Sequence, residues 1–421
     1  MLTLLRHMLT DPADDFTFRR YNPQDQITLR SGTGLYIHIP FCTHFCPYCP
    51  YLKIRYSKAT ALAYKEALIR EIRLYHDLFG RAGFSSLYIG GGTPTLMLDE
   101  LGEVLEHLHR CFNIKGDLAI ETNPNDVDRG VVTKLGSLGF NLVSLGIQSF
   151  DDRYLRQIGR DYDAPVAVKA LETVGAGDFD TVNVDLMFVI DHQTVDDVIN
   201  DLAVAVDHHM DQVTCYPLFT FPYSEVGRLK QLKRLRLPDR HLRKKMYYVM
   251  NDFMAEHGYT RTNVWSFSRD HRPAFSSVTR DYFLGLGAGA GSYNGNRFFF
   301  NTFSVPHYIR NVRRSLPIAV SMTVSRRLEK LFWLYWRLYE TSVPKTAYRD
   351  MFGEALEQDF GNLLRVIRML QFVEAEDDDT IRLNTRGAHR IHLLQNHYAL
   401  NYVDKLWRVL KVQPFPEKIA L

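Results

Sequence analysis

Cys42, Cys46 and Cys49 carry the strongest chemical signal in the chain: they lie within "FCTHFCPYC" at C-x3-C-x2-C spacing. Thiolates are soft ligands that select zinc, copper(I) or iron–sulfur clusters. A closed zinc site needs four ligands, and the other two cysteines, Cys111 and Cys215, stand alone far along the chain. His44 lies between the first two cysteines, too near to complete a tetrahedron easily. A [4Fe–4S] cluster solves the shortage differently. Three irons take the three thiolates, and the fourth iron is left to a ligand from outside the protein.

The other candidate residues close β-rich runs. "YIGGGTPT" delivers Gly90, Gly91, Gly92 and Thr93, a stretch where the backbone can approach a ligand closely. Glu121 ends "LAIET", Gln148 ends "LVSLGIQ", and Asp185 lies in "TVNVDLM". A charged or amide group on an apolar strand needs a partner. Arg160 follows in "IGRD", and Tyr36 precedes the cysteines in "LYIHIP". Further on, "GLGAGAGS" leaves room for a ligand beside Gly287 and Ala288. His389 and His392 share one face of a predicted helix that also carries His397, with no carboxylate to complete a site.

These residues need a scaffold that brings strand ends to one rim. Strand patterns are predicted at 35–39, 86–90, 118–122, 142–148, 181–190 and 212–218, and helices at 58–80, 98–112 and 195–210. Such alternation predicts an α/β fold with a parallel sheet. Six units fall short of the eight of a closed barrel, so a partial (β/α)6 barrel is expected. The expected organisation is an N-terminal extension over 1–33, a core over 34–300 and a helical, winged-helix-like cap over 301–421.

The composition is ordinary for a soluble globular chain: 421 residues, 46% hydrophobic, 24% charged, net charge +3. That balance gives no electrostatic reason to expect a nucleic-acid partner. "MLTLLRHMLTDPADDF" lacks the continuous apolar core of a secretory signal, so a cytoplasmic location is expected. The aromatic, basic "SRRLEKLFWLYWRLY" could add peripheral contact with the inner membrane face.

The cysteine spacing with Tyr48 before the last cysteine resembles the radical S-adenosylmethionine (SAM) superfamily. "YIHIPFC", "YIGGGTPT", "IETNP", "SLGIQSF", "IGRD" and "VNVDLM", in that order over roughly 34–300, resemble its oxygen-independent coproporphyrinogen III oxidase-like branch. The resemblance implies a partial barrel holding a [4Fe–4S] cluster on Cys42, Cys46 and Cys49. The fourth iron would bind SAM, whose reductive cleavage gives a 5′-deoxyadenosyl radical. It implies SAM contacts from Tyr36, Gly90, Gly91, Gly92, Thr93, Glu121, Gln148 and Asp185, with Arg160 pairing with a SAM carboxylate. An external electron donor of flavodoxin or ferredoxin type is implied as well.

Within the branch, Tyr51 stands where coproporphyrinogen oxidase has a further cysteine, and Tyr162 where a histidine is usual. "CPYCPY" and "GAGAGS" also depart from the haem-chaperone pattern. The remaining resemblance is to class C radical SAM methyltransferases of the menaquinone type. It implies an enzyme that binds two SAM molecules, the second beside Gly287 and Ala288, and methylates an sp2 carbon of an aromatic substrate such as the naphthoquinone ring. A cyclopropanase, another heteroaromatic methylase, and a haem chaperone or porphyrin-acting protein are the alternatives. "FFFNTF" and the C-terminal "LLQNHYALNYVDKLWRVL" are expected to wall a flat substrate.

Overall fold

The computed structural model describes residues 16–269, 272–276 and 280–421. Residues 1–15 of the expected extension, with 270–271 and 277–279, lie outside the described residues.

The first two thirds alternate strand and helix: β1 Gly34–Ile39, α1 Lys58–Phe79, β2 Leu87–Gly91, α2 Leu98–Cys111, β3 Leu118–Thr122, α3 Arg129–Ser137, β4 Leu142–Gln148, α4 Ala164–Gly175, β5 Thr181–Phe188, α5 Val195–Asp207, β6 Gln212–Pro217 and α6 Arg240–Glu256. Helix starts are set by side chains that accept from otherwise unpaired N–H groups. Ser57 caps α1, Asp163 caps α4 just before Pro165, and Thr194 forms a reciprocal capping box with Asp197 on α5.

Strands β1 to β6 lie side by side in chain order and are all parallel. Leu35 pairs with Leu87, Leu87 with Leu118, and Val143 with Val182. Both faces are covered, so the strands are apolar almost throughout, as in β4, where six of seven residues are buried. The six-unit parallel sheet of the expected partial barrel is present. β7, Phe283–Leu286, adds a parallel strand on the other side of β1.

Beyond β7 the same sheet turns antiparallel through β8 Gly291–Tyr293, β9 Arg297–Asn301 and β10 Ile318–Thr323, then takes Thr17–Arg20 and finally Lys418–Ala420. The C-terminal region follows: α7 Arg326–Tyr339, α8 Leu356–Met369, α9 Thr385–Tyr398 and α10 Asp404–Val412. A small three-stranded sheet, Ser342–Pro344, Val373–Glu376 and Thr380–Leu383, gives it the wing of a winged helix. This region has a core of its own, built from Trp333, Leu334, Tyr348, Phe352, Leu364 and Ile381. Among the described residues no helix is long and apolar enough to cross a membrane.

Candidate functional site

The cysteine loop leaves the C-terminal end of β1. Its base is tied where Phe41–Cys42 pairs in parallel with Ile54–Arg55, with Ile54 N–H donating to Pro40 O at 2.7 Å and Tyr56 N–H to Cys42 O at 3.0 Å. Lys53 reaches back into the loop, its Nζ donating to the carbonyls of Cys46 at 2.7 Å and Cys49 at 3.2 Å. From the far end of the chain, Lys411 on α10 donates to Pro50 O at 2.5 Å and Tyr51 O at 3.3 Å. The cysteines are free thiols. Burial, with the nearby Cys49, pushes the Cys42 thiol up to about 12. Ligation must therefore displace a proton.

The residues fit a [4Fe–4S] cluster with SAM. No three His, Cys, Asp or Glu side chains among the described residues converge as one ion would need. A cluster does not ask for that, because each thiolate takes a different iron. Gly92 lies against the loop so closely that a Cβ would fall 2.4 Å from Phe41 O and 2.9 Å from Cys42 Sγ. Arg160 donates to Gly146 O at 2.7 Å and to Cys46 Sγ at 3.6 Å, while its buried Nε has no hydrogen-bond partner. An unpaired guanidinium N–H beside the cysteines suits an incoming carboxylate.

The strand ends bring the other polar groups onto the same rim. Glu121 of β3 accepts from Tyr88 OH at 2.5 Å and from Gly91 N–H at 2.9 Å, and burial raises its pKa. Asp185 of β5 accepts from Asn183 at 3.0 Å and Ser144 at 3.1 Å. Burial, reinforced by the Glu121 charge, lifts Asp185 to about 7. Between β4 and β5 the register slips: Asp185 faces Gly146 and Leu186 faces Gln148, leaving Ile147 as the extra residue of a bulge. Gln148 just past it has φ 77°, uncommon for a non-glycine residue, and its Oε1 accepts from Tyr216 OH at 2.5 Å. The bulge thus re-aims the end of β4 toward β6.

Tyr36 of β1 donates to Nδ1 of the buried His38 at 2.7 Å, so His38 Nε2–H donates to Leu52 O at 3.1 Å. Burial holds this imidazole neutral, down to about 4. His38 is a neighbour of the site that the sequence reading passed over. Its signal was the i, i+2 spacing from Tyr36, which puts both side chains on one face of the strand. Lys53, Lys411, Tyr88 and Tyr216 were missed too. Lys411 lies some 360 residues from its partners, and nothing local marks it.

Gly287 and Ala288 follow β7 and are fully engaged. Gly287 N–H donates to Glu71 at 2.8 Å, and Ala288 N–H to Tyr64 OH at 2.8 Å. A Cβ on Gly287 would meet Tyr64 OH and His38 O, each at 2.6 Å. The aromatic run after them is core: Phe299, Phe300 and Phe303 are buried, Phe300 packs on Phe18, and Phe303 meets Trp407 of α10.

Residues 36–205 match the model of the radical SAM superfamily. The chain is 28% identical over 340 residues to the heme chaperone HemW of Bacillus subtilis, covering 78% of this chain and 89% of that protein. It is 26% identical over 246 residues to the oxygen-independent coproporphyrinogen III oxidase of Paracoccus denitrificans, 57% of this chain and 54% of that protein. Its fold is that of the Escherichia coli coproporphyrinogen III oxidase HemN, a radical SAM enzyme (TM-score 0.76, 20% identity, 94% of this chain and 99% of that one).

These likenesses overturn the expectation of a class C radical SAM methyltransferase acting on menaquinone. That expectation leaned on Tyr51 and Tyr162, and both have structural work. Tyr51, 48% exposed, packs its ring 5.7 Å from Trp407. Tyr162 OH donates to Gly146 O and Ile147 O at 3.0 and 2.7 Å, pinning the bulge. A residue kept for packing says little about the reaction. Residues 36–205 are thus similar to the radical SAM superfamily, which implies a [4Fe–4S] cluster and SAM, and the chain as a whole is similar to proteins of the coproporphyrinogen III oxidase-like branch.

Proposed function

We propose that this protein binds haem or a closely related porphyrin and acts as a radical SAM-type haem chaperone. The observation that carries this reading is the similarity to the Bacillus subtilis heme chaperone HemW along 89% of that protein. The intact rim supports it. Cys42, Cys46 and Cys49 would hold the cluster, which with SAM supplies one-electron chemistry when bound. Arg160, with its unpaired Nε–H, would hold the SAM carboxylate. Gly91 and Glu121 would take the amino end, and Asp185 the ribose hydroxyls. Tyr36 and the neutral His38 would keep the wall beneath the glycine stretch in place.

This reading assigns one SAM, on the rim of the cysteine loop. The N–H groups of Gly287 and Ala288, expected beside a second SAM, are used by Glu71 and Tyr64. The electron would come from an external flavodoxin- or ferredoxin-type donor.

The test is an anaerobic titration of the reconstituted full chain with hemin, followed by its Soret band, alongside product analysis after adding dithionite and SAM. A saturable one-to-one complex is expected, with no S-adenosylhomocysteine formed. Absence of any saturable tetrapyrrole binding overturns the proposal.

A further inference from the structure

Between α6 and α9, against the end of the barrel strands, lies a cavity of about 780 Å³. That is within the range of small-molecule sites, about 300–1,000 Å³. Five cations line it: Arg240, Arg243 and Lys244 from the first turns of α6, and Arg386 and Arg390 from α9. No acidic side chain lines it, and among the described residues none of the five has an ion-pair partner. Asp239 is near: it caps α6, accepting from Leu242 N–H at 2.8 Å, and its charge also acts on Arg243, offsetting part of one cation. Arg243 donates its Nε–H to Pro238 O, while Lys244 and Arg386 rest over the rings of Tyr248 and Phe372. The contacts of Lys244 and Arg386 hold those cations without neutralising them. Five like charges held round one space repel one another, and an anion relieves that repulsion.

The other wall is apolar: Val189, Pro217 and Leu218, with Tyr248 and Leu393. Val189 directly follows β5, the strand of Asp185, and Pro217 directly follows Tyr216, which bonds Gln148. The cavity therefore lies beside the C-terminal ends of β5 and β6, the strand ends that also carry Asp185 and Tyr216. His392 on α9 accepts from Trp265 Nε1–H through its Nδ1 at 2.7 Å, which leaves its other ring nitrogen as a donor. Burial and the surrounding cations keep His389 near 4 and His392 near 3, so neither adds charge. Asn396 contributes a buried side-chain oxygen without a hydrogen-bond partner.

We infer that this cavity is the carboxylate-binding end of a tetrapyrrole site. Arg240, Arg243, Lys244, Arg386 and Arg390 hold the acid side chains, and the flat ring system lies on Val189, Pro217, Leu218 and Tyr248. This rests on the tetrapyrrole reading above and assigns its residues. It also absorbs His389 and His392, which share a face yet have no carboxylate of their own because the ligand brings it.

The experiment uses the full, cluster-reconstituted chain and follows coproporphyrin III fluorescence and hemin absorbance. The double variants are Arg386→Gln with Arg390→Gln, and Arg240→Gln with Lys244→Gln. All four side chains are exposed, so folding should persist, which far-UV circular dichroism checks. Each double variant should weaken both ligands about tenfold or more. Coproporphyrin tetramethyl ester, which has no carboxylates, should bind the unaltered chain and the variants alike. Unchanged affinity for coproporphyrin and hemin in both variants removes the cavity assignment while leaving the haem reading standing. No tetrapyrrole binding by the unaltered chain, with tripolyphosphate held instead, overturns both and makes this a phosphate site.

Discussion

Arg160 is the residue whose chemistry is hardest to replace. Its guanidinium spans Gly146 O and Cys46 Sγ and still has a buried N–H to offer. Lysine cannot fork in this way. Arg160→Lys is expected to weaken SAM binding about tenfold while retaining the cluster, read by calorimetry and iron content. Replacing Cys42, Cys46 or Cys49 by Ala should strip the cluster, and retained iron–sulfur absorbance in all three would refute the ligand assignment. Glu71, wholly buried in α1, accepts from Tyr308 OH, Gly287 N–H and Asn301, yet burial raises it from 4.5 to about 7. Between these values the fold holds a proton that the unfolded chain releases. The stabilisation is therefore full below pH 4.5 and is lost as pH rises to about 7. Chemical denaturation as a function of pH should show a slope on the order of 3 kcal/mol over that window, absent in Glu71→Gln. At this scale the sequence was legible wherever spacing carried the chemistry, as in the cysteine triad. Glu71 was not legible, because nothing in an amphipathic helix says which of its carboxylates is buried.

The cysteine loop works as an element because its base is a strand pair and its flank is a glycine. Gly92→Ala would drive a Cβ into Phe41 O and Cys42 Sγ. The loop must then move, at a cost of about 1–3 kcal/mol. Lower iron content per chain, alongside a lower melting temperature, is the expected outcome. α10 braces the same loop through Lys411 and through Trp407 against Tyr51. Lys411→Met should keep the cluster but hasten its loss in air, and an unchanged bleaching rate would rule the brace out. Strand and helix positions were legible from periodicity, and the observed bounds of β1 to β6 lie within about two residues of those expected. The bulge at Ile147 and the positive φ at Gln148 were not, because both arise from pairing with β5.

At the scale of the molecule, one sheet joins the two ends of the chain. Thr17–Arg20 is paired on one side with Ile318–Thr323 and on the other with Lys418–Ala420. Arg20 adds an ion pair to Glu417 at 2.7 Å and a bond to Phe415 O at 2.5 Å. Ile419 is buried with Phe18, Phe300 and Leu410. Truncation after Gln413 removes that strand and unseats α10, so thermal unfolding should begin at least about 5 °C lower. The cluster should become labile in the same variant, since α10 is what reaches the cysteine loop.

The sequence by itself determined the local chemistry: three cysteines at fixed spacing, polar residues at the ends of apolar strands, and the alternation that stacks those strands in parallel. These depend on neighbours within a few residues, where covalent spacing and periodicity suffice. It did not determine what Tyr51 and Tyr162 are for, because they pack in ways no local pattern encodes. Only the tertiary structure brought Lys411 to Pro50, Glu71 to Gly287, and the cations of α6 and α9 around one cavity. Each of those meetings joins residues more than a hundred positions apart, and the packing of helices on the sheet decides which faces meet.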